Sequence, residues 1–232
     1  MNRPIIAVSK PRNGGYTQNL AIRLALFLAG AKPINITPAK PNIDGKIQGL
    51  VLAGGTDVMP QWFDSNDIKT DYRYDKERDK LEIDLIKLAK LTDIPMLCIC
   101  RGAQLLNVFE GGSLFTDIEK VYENANYPSS LLAKIFFRKK IIINKDSKLH
   151  RAFKSTVAKV NSMHTQSIDK LGMDLKITSK ESNGIVQSIE HQKNNYIIGV
   201  QFHPEFLIHR KDARSLFFNF VNACKKGGQQ AP

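Results

Sequence analysis

Three short runs of the chain carry side chains suited to acyl transfer. In Pro95-Met96-Leu97-Cys98-Ile99-Cys100-Arg101-Gly102-Ala103-Gln104 an apolar strand runs into a helix with Cys100 at the junction. A sharp strand-to-helix turn of this kind lifts a nucleophile above a sheet, and a small residue two positions on, here Gly102, lets helix and strand pack closely. A thiol in that place meets the free N–H groups of the helix start. These favour the thiolate and bring a thiol pKa from about 8.5 to roughly 3.5–7.5 when a histidinium assists. Taken alone, a cysteine at a strand end is more often a small buried hydrophobe, and that remains the reading for Cys98 and Cys224.

The second run, Gly199-Val200-Gln201-Phe202-His203-Pro204-Glu205, ends a buried-type strand with an imidazole and a carboxylate two positions apart. Strand alternation puts both on one side. His203 can then take the thiol proton while Glu205 accepts a hydrogen bond from the other ring nitrogen. The third run, Leu52-Ala53-Gly54-Gly55-Thr56-Asp57-Val58, ends a strand in two glycines. The backbone N–H of Gly55 and that of Arg101 would together bind the oxyanion formed when the thiolate attacks a carbonyl; by itself, Gly-Gly reads as an ordinary turn. No second cysteine or histidine cluster stands at ligand spacing from the Cys98-x-Cys100 pair, so neither a metal nor another cofactor is expected.

The elements needed to position these groups are legible as alternating strands and helices. Pro4 to Ser9, Lys32 to Thr37, Gln48 to Ala53 and Met96 to Cys100 read as strands; the continuous apolar run 48–53 suits a parallel sheet covered on both faces. Helices are predicted from Thr17, on the stripe Leu20, Leu24, Phe27 and Leu28, from Lys76 to Leu91 on Leu81, Leu85, Leu88 and Ala89, and from Arg101 to Glu110. Thr56 to Asp75 lacks periodicity and reads as a functional rim or lid. Strands follow at Ile135 to Ile143, Thr156 to Ser162, Leu175 to Ser179, Ile185 to Glu190 and Tyr196 to Phe202, then a helix from about Arg210 to Cys224. The pattern predicts an α/β fold, a three-layer sandwich with a mostly parallel central sheet, as one domain over 1–226 with a flexible tail at 227–232.

Composition narrows the function classes. The 232 residues are 42% hydrophobic and 24% charged, which excludes a disordered chain or a miniature scaffold. Three unevenly spaced cysteines argue against a disulfide framework and for a reducing, cytoplasmic setting. No apolar run approaches the roughly 18–20 residues of a membrane span, and the N-terminus has no signal-peptide pattern. Lys and Arg outnumber acids 34 to 22, a net charge of +12. Part of that excess is local, from Lys134 to Lys159, without aromatic interleaving or a helix-turn-helix, so it reads as a solvated basic face and nucleic acid is not expected.

Taken in order, these pieces resemble the class I glutamine amidotransferase-like superfamily, which is flavodoxin-like in fold, and more closely its γ-glutamyl-γ-aminobutyrate hydrolase branch. The likeness spans nearly the whole chain. It includes Gly54-Gly55-Thr56-Asp57-Val58-Met59-Pro60, Arg78-Asp79 with Glu82, Cys100 to Val108 with Gly111-Gly112, Asn161-Ser162-Met163-His164-Thr165-Gln166, and Gln201 to Glu205. The resemblance implies a triad of Cys100, His203 and Glu205 that hydrolyses a γ-glutamyl amide through a thioester. It also implies that Gln104 helps hold the glutamyl group and that Ser162 and His164 line the same pocket. Arg78, Asp79 and Glu82 match a branch signature and read as structural or rim residues.

The chain departs from the family pattern in three places. Cys98 stands where the family has glycine, Thr165 replaces the second histidine of a His-His-Gln segment, and Ser182 to Gln187 lacks the usual Asp-Gly and following Glu. The expected partner is a small γ-glutamyl substrate, with a homodimer left open. Two further readings stand beside the hydrolase: the glutaminase subunit of a two-component amidotransferase, and a non-catalytic protein using its basic face for an anionic partner.

Overall fold

The apolar runs Ile5–Ser9, Gly49–Leu52 and Met96–Ile99 pair side by side and are almost wholly buried, as strands covered on both faces must be. A computed structural model describes residues 3–41, 47–69, 74–125, 127, 136–161, 164–193 and 196–227. In chain order the elements are β1 (Ile5–Ser9), α1 (Tyr16–Leu28), β2 (Lys32–Ile36), β3 (Gly49–Leu52), α2 (Lys76–Leu91), β4 (Met96–Ile99), α3 (Arg101–Phe109) and β5 (Leu114–Phe115). Then come β6 (Lys139–Ile143), α4 (Lys148–Phe153), β7 (Val157–Val160), β8 (Ser167–Ile168), β9 (Leu175–Glu181), β10 (Val186–His191), β11 (Ile197–Val200) and α5 (Lys211–Gly227). One nine-stranded sheet runs in the order β2-β1-β3-β4-β11-β10-β9-β6-β7, with β5 and β8 paired separately. The first five strands are parallel. From β11 outward the pairing is antiparallel.

Strand alternation sorts the core into two layers. Val51, Leu97, Ile99, Ile198 and Val200 face a cluster with Ile22 and Leu26 of α1, Leu149 of α4 and Phe217 and Phe220 of α5. Leu50, Leu52, Met96, Cys98 and Ile197 face the other side, against Leu85 and Ile86 of α2 and Leu105 and Leu106 of α3. The expected three-layer α/β sandwich is thus formed, and its parallel part follows the doubly wound 2-1-3-4 order. Strands from both ends of the described chain meet in it, since β3 and β4 lie between β1 and β11. No described helix is long and apolar enough to cross a membrane.

Two stripes read from the sequence are corrected. On α1 the buried residues are Asn19, Ile22, Ala25 and Leu26, whereas Leu20 and Leu28 are 69% and 62% exposed. The sheet takes the face with the small Ala25, and the larger apolar stripe looks outward. On α2 the buried face is Arg78, Asp79, Glu82, Leu85, Ile86 and Ala89, while Leu88 is exposed. Of the two roles read for Arg78, Asp79 and Glu82, structural or rim, burial selects the structural one. They lie beneath the sheet's carboxyl edge, where Arg78 pairs with Glu82 and Arg101 of α3 pairs with Asp79 and Glu82. Helix α4, capped by the Ser147 hydroxyl accepting from the His150 N–H, has no counterpart in the sequence reading. Helix α5 runs to Gly227, and residues 228–232 of the expected tail lie outside the described residues.

Candidate active site

Cys100 sits where β4 gives way to α3, with φ 50° and ψ −106°. That is a left-handed φ that a side chain adopts only when its surroundings impose it, at about 1–3 kcal/mol. Two contacts impose it here. The Cys100 N–H donates to Val200 O at 2.7 Å, which ties the turn to β11. Gly102 abuts β3 so closely that a Cβ would come within 2.5 Å of Leu52 O. The expected need for a small residue at 102 is thus a direct backbone contact.

His203 and Glu205 are brought together by a different device from the one the sequence suggested. β11 stops at Val200, and His203 caps a one-turn 3-10 helix, Pro204–Leu207. The turn, not strand alternation, folds Glu205 back so that its Oε1 lies 2.7 Å from His203 Nδ1. The Cys100 sulfur also acts on the His203 ring, raising its pKa, so sulfur, imidazole and carboxylate stand together as one group. Asn161 fixes the histidine backbone from both sides, accepting from its N–H at 3.1 Å and donating to its carbonyl at 3.0 Å.

Burial alone would drive the His203 pKa down. The Glu205 carboxylate and the Cys100 sulfur outweigh that and push it up to about 10. That favours the protonated ring, which suits a proton donor to a leaving group. Cys98, packed in the opposite layer with no such partner, has its thiol pushed up by burial.

One residue of this group escaped the sequence reading. Gln18, in the first turn of α1, donates through Nε2 to Glu205 Oε1 at 2.8 Å, with the same nitrogen 3.0 Å from His203 Nδ1. A Cβ on Gly54 would come within 2.5 Å of Gln18 Nε2 and 2.8 Å of His203 Cε1. The first glycine of the pair thus makes room for both side chains. A polar residue on a half-buried helix turn carries no motif, and only the fold reveals it.

The remaining candidates are spread around this group. Arg101, the first residue of α3, has a backbone N–H without an intrahelical carbonyl to meet, and its side chain is buried. Gly55 lies at the carboxyl end of β3 with its backbone against the Arg78 guanidinium. Gln104 is buried, and its Nε2 donates to Gln166 O at 2.8 Å and Gln201 Oε1 at 3.1 Å. Gln201 Nε2 in turn lies 3.5 Å from Cys100 Sγ, so Gln104 reaches the sulfur through a neighbour. His164 is buried with its Nδ1–H donating to Gln166 O at 2.8 Å and its ring against Tyr127. Burial first, then the nearby His203 charge, lowers its pKa to about 4. Ser162 lies outside the described residues. Thr165, at the departing position, donates to the Asp57 carboxylate at 3.0 Å and so straps the segment after Gly55.

Among the described residues one group brings three ligand-type side chains together, Glu110, Asp174 and His191, away from Cys100. Lys90 and Lys193 already pair with the two carboxylates, at 2.5 and 2.7 Å.

A doubly wound sheet with a strained cysteine at the end of a central strand and a His–Glu pair in the turn after the next one defines the class I glutamine amidotransferase-like proteins. The comparisons with known proteins agree. By the match of residues 21–205 to its model, the chain belongs to the peptidase C26 family. It is 37% identical, over 97% of its length and 88% of the relative's, to a Schizosaccharomyces pombe protein provisionally named a glutamine amidotransferase. It is 29% identical, over 97% of its length and 95% of the relative's, to the γ-glutamyl-γ-aminobutyrate hydrolase of Escherichia coli O157:H7. Among solved structures it resembles the glutaminase domain of Trypanosoma brucei CTPS, with a TM-score of 0.68 over 97% of this chain and 94% of that one at 13% identity. A glutamine amidotransferase from Thermotoga maritima gives 0.64 over 98% and 99% at 14% identity.

Proposed function

We propose that the chain is a cysteine-dependent amidohydrolase that cleaves γ-glutamyl amides through a γ-glutamyl thioester on Cys100. The observation that carries this reading is the His203–Glu205 hydrogen bond together with the strained turn that holds Cys100 at the strand-to-helix junction. Cys100 passes its thiol proton to His203 and the sulfur attacks the amide carbonyl, while the N–H groups of Gly55 and Arg101 take the oxyanion. His203 delivers its proton to the departing amine as the C–N bond breaks. It then accepts a proton from the water that attacks the thioester and returns it to the departing sulfur, so glutamate leaves and the thiol is restored. Glu205 orients the ring and balances its charge. Gln104 and His164, with Ser162, are the candidates to shape the glutamyl pocket. The choice of γ-glutamyl amides is supported by the name of the Escherichia coli relative, which covers nearly the whole chain.

A panel of γ-glutamyl-γ-aminobutyrate, other γ-glutamyl amines and glutamine, read by glutamate release, tests the reading. Turnover is expected for at least one, and Cys100→Ser and His203→Ala should abolish it in folded protein. Glu205→Gln should lose less, because it orients rather than transfers the proton. Absence of turnover on every compound, with Cys100 unlabelled by a glutamine-mimicking electrophile, would refute it. A second reading, a glutaminase subunit that passes ammonia to a separate synthetase, is favoured by the Schizosaccharomyces pombe relative's name. Activity confined to glutamine and dependent on a co-purifying protein would select it.

A further inference from the structure

The two amides assigned to the oxyanion belong to different elements, and a Gly-Gly turn does not by itself fix which way its peptide planes face. Beneath it lie four buried charges, Arg78, Asp79 and Glu82 of α2 and Arg101 of α3, each at most 1% exposed. Arg78 Nη2 donates to the carbonyls of Ala53 and Gly54 at 2.9 and 3.1 Å, and its Nε donates to Glu82 Oε1 at 2.7 Å. The Asp79 and Glu82 carboxylates each accept from the Arg101 guanidinium. Ser9 closes the network, donating to Glu82 at 2.6 Å and accepting from the Ala53 N–H at 3.1 Å. Desolvation largely offsets the attraction within such buried pairs, so stability alone is a weak account of them.

We propose that Arg78 is a positioning residue that aims the oxyanion hole. Its logic rests on one peptide plane. In a planar trans peptide the C=O and N–H point in opposite directions. With the Gly54 carbonyl drawn down onto Arg78, the N–H of Gly55 is turned away from the network. Register places Gly54 level with Cys100, since Leu52 pairs with Cys98 across β3 and β4, and the space a Cβ on Gly54 would take is occupied by the His203 ring. Glycine at 55 serves the same arrangement, because a Cβ there would overlap Arg78 Nη1. The second donor is the N–H of Arg101, whose own guanidinium is gripped by Asp79 and Glu82. The same network therefore holds both amides, and only a planar, forked guanidinium can serve two carbonyls and a carboxylate together. Arg78 touches neither the sulfur nor the substrate.

This role rests on the amidohydrolase reading, and its test separates the two. Arg78→Lys and Gly55→Ala are compared with wild type on glutamine and γ-glutamyl-p-nitroanilide, alongside alkylation of Cys100 by iodoacetamide. Amide cleavage builds an oxyanion, whereas alkylation at a saturated carbon does not. Both variants should lose about 10²-fold in kcat, on the scale of one misplaced oxyanion donor, with KM changed by less than about threefold. Alkylation rates should stay within about twofold. Unaltered kcat in either folded variant overturns the proposal, as does a parallel fall in alkylation, which would place the effect on the sulfur. If Arg78→Lys does not fold, Gly55→Ala, which keeps all four charges, decides alone. A wild type inactive on every γ-glutamyl amide refutes the activity itself; an active wild type with unaltered variants refutes only the role of Arg78.

Discussion

His203 illustrates how one side chain can bind folding to protonation. Its pKa in the folded chain is about 10, against about 6.5 in an unfolded one. The folded state therefore holds the proton more tightly, and the resulting stability is fully present below about pH 6.5 and lost as the pH rises through about 10. Each unit of displacement contributes about 1.4 kcal/mol. His203→Gln removes this contribution and leaves the other titrating groups of the chain in place. In urea unfolding followed at pH 7 and pH 10.5, the gap between wild type and His203→Gln should shrink at the higher pH. A gap that does not vary with pH would mean that the imidazole is neutral in the folded chain. Such a result would remove the cation from the arrangement while leaving the contacts among Cys100, His203 and Glu205 intact.

At the level of elements, the junction between β4 and α3 concentrates the constraint. Gly102→Ala would set a Cβ 2.5 Å from the Leu52 carbonyl and 2.7 Å from the Leu52 Cβ, and β3 is held by strands on both sides. The helix must move away, at about 1–3 kcal/mol for overpacking. A lowered urea midpoint together with slower alkylation of Cys100 is the expected outcome; an unchanged midpoint would show that α3 can shift freely. This junction was readable in the sequence because a strand, a cysteine and a glycine stand in fixed order. The helix faces were less so. Leu20, Leu24, Phe27 and Leu28 do form a stripe, but periodicity cannot say whether the sheet takes that stripe or the smaller one around Ala25. Arg78, Asp79 and Glu82 were visible as a motif but left between a structural and a rim role, since charges are buried only when partners far along the chain, here Arg101 and Ser9, neutralise or bond them. Gln18 was invisible for a related reason, as its meaning depends on a turn almost the whole chain away.

Across the whole molecule, the active-site group lies in the parallel half of the sheet and much of the basic surface lies in the antiparallel half. Lys139 and Lys148 are drawn toward Glu181 and Glu190, at 3.9 and 3.7 Å, while Lys140, Lys145, Arg151, Lys154 and Lys159 are exposed. β7 ends the sheet among the described residues, and a lysine on an edge strand discourages pairing with another chain. It does so here at a local cost, because Lys159 stands directly opposite Lys140 across β6 and β7, and like charges in that position repel. Lys159→Glu keeps a charge on the edge and turns the repulsion into an attraction. It should raise the unfolding free energy by about 0.5–1 kcal/mol in low salt. That gain should shrink in 1 M NaCl, where the Debye length falls to about 3 Å. Since the pair lies apart from Cys100, kcat should be unchanged. A gain that persists in high salt would instead place the effect in packing along the edge, and a loss would show that Lys159 does more for the folded chain than guard its border.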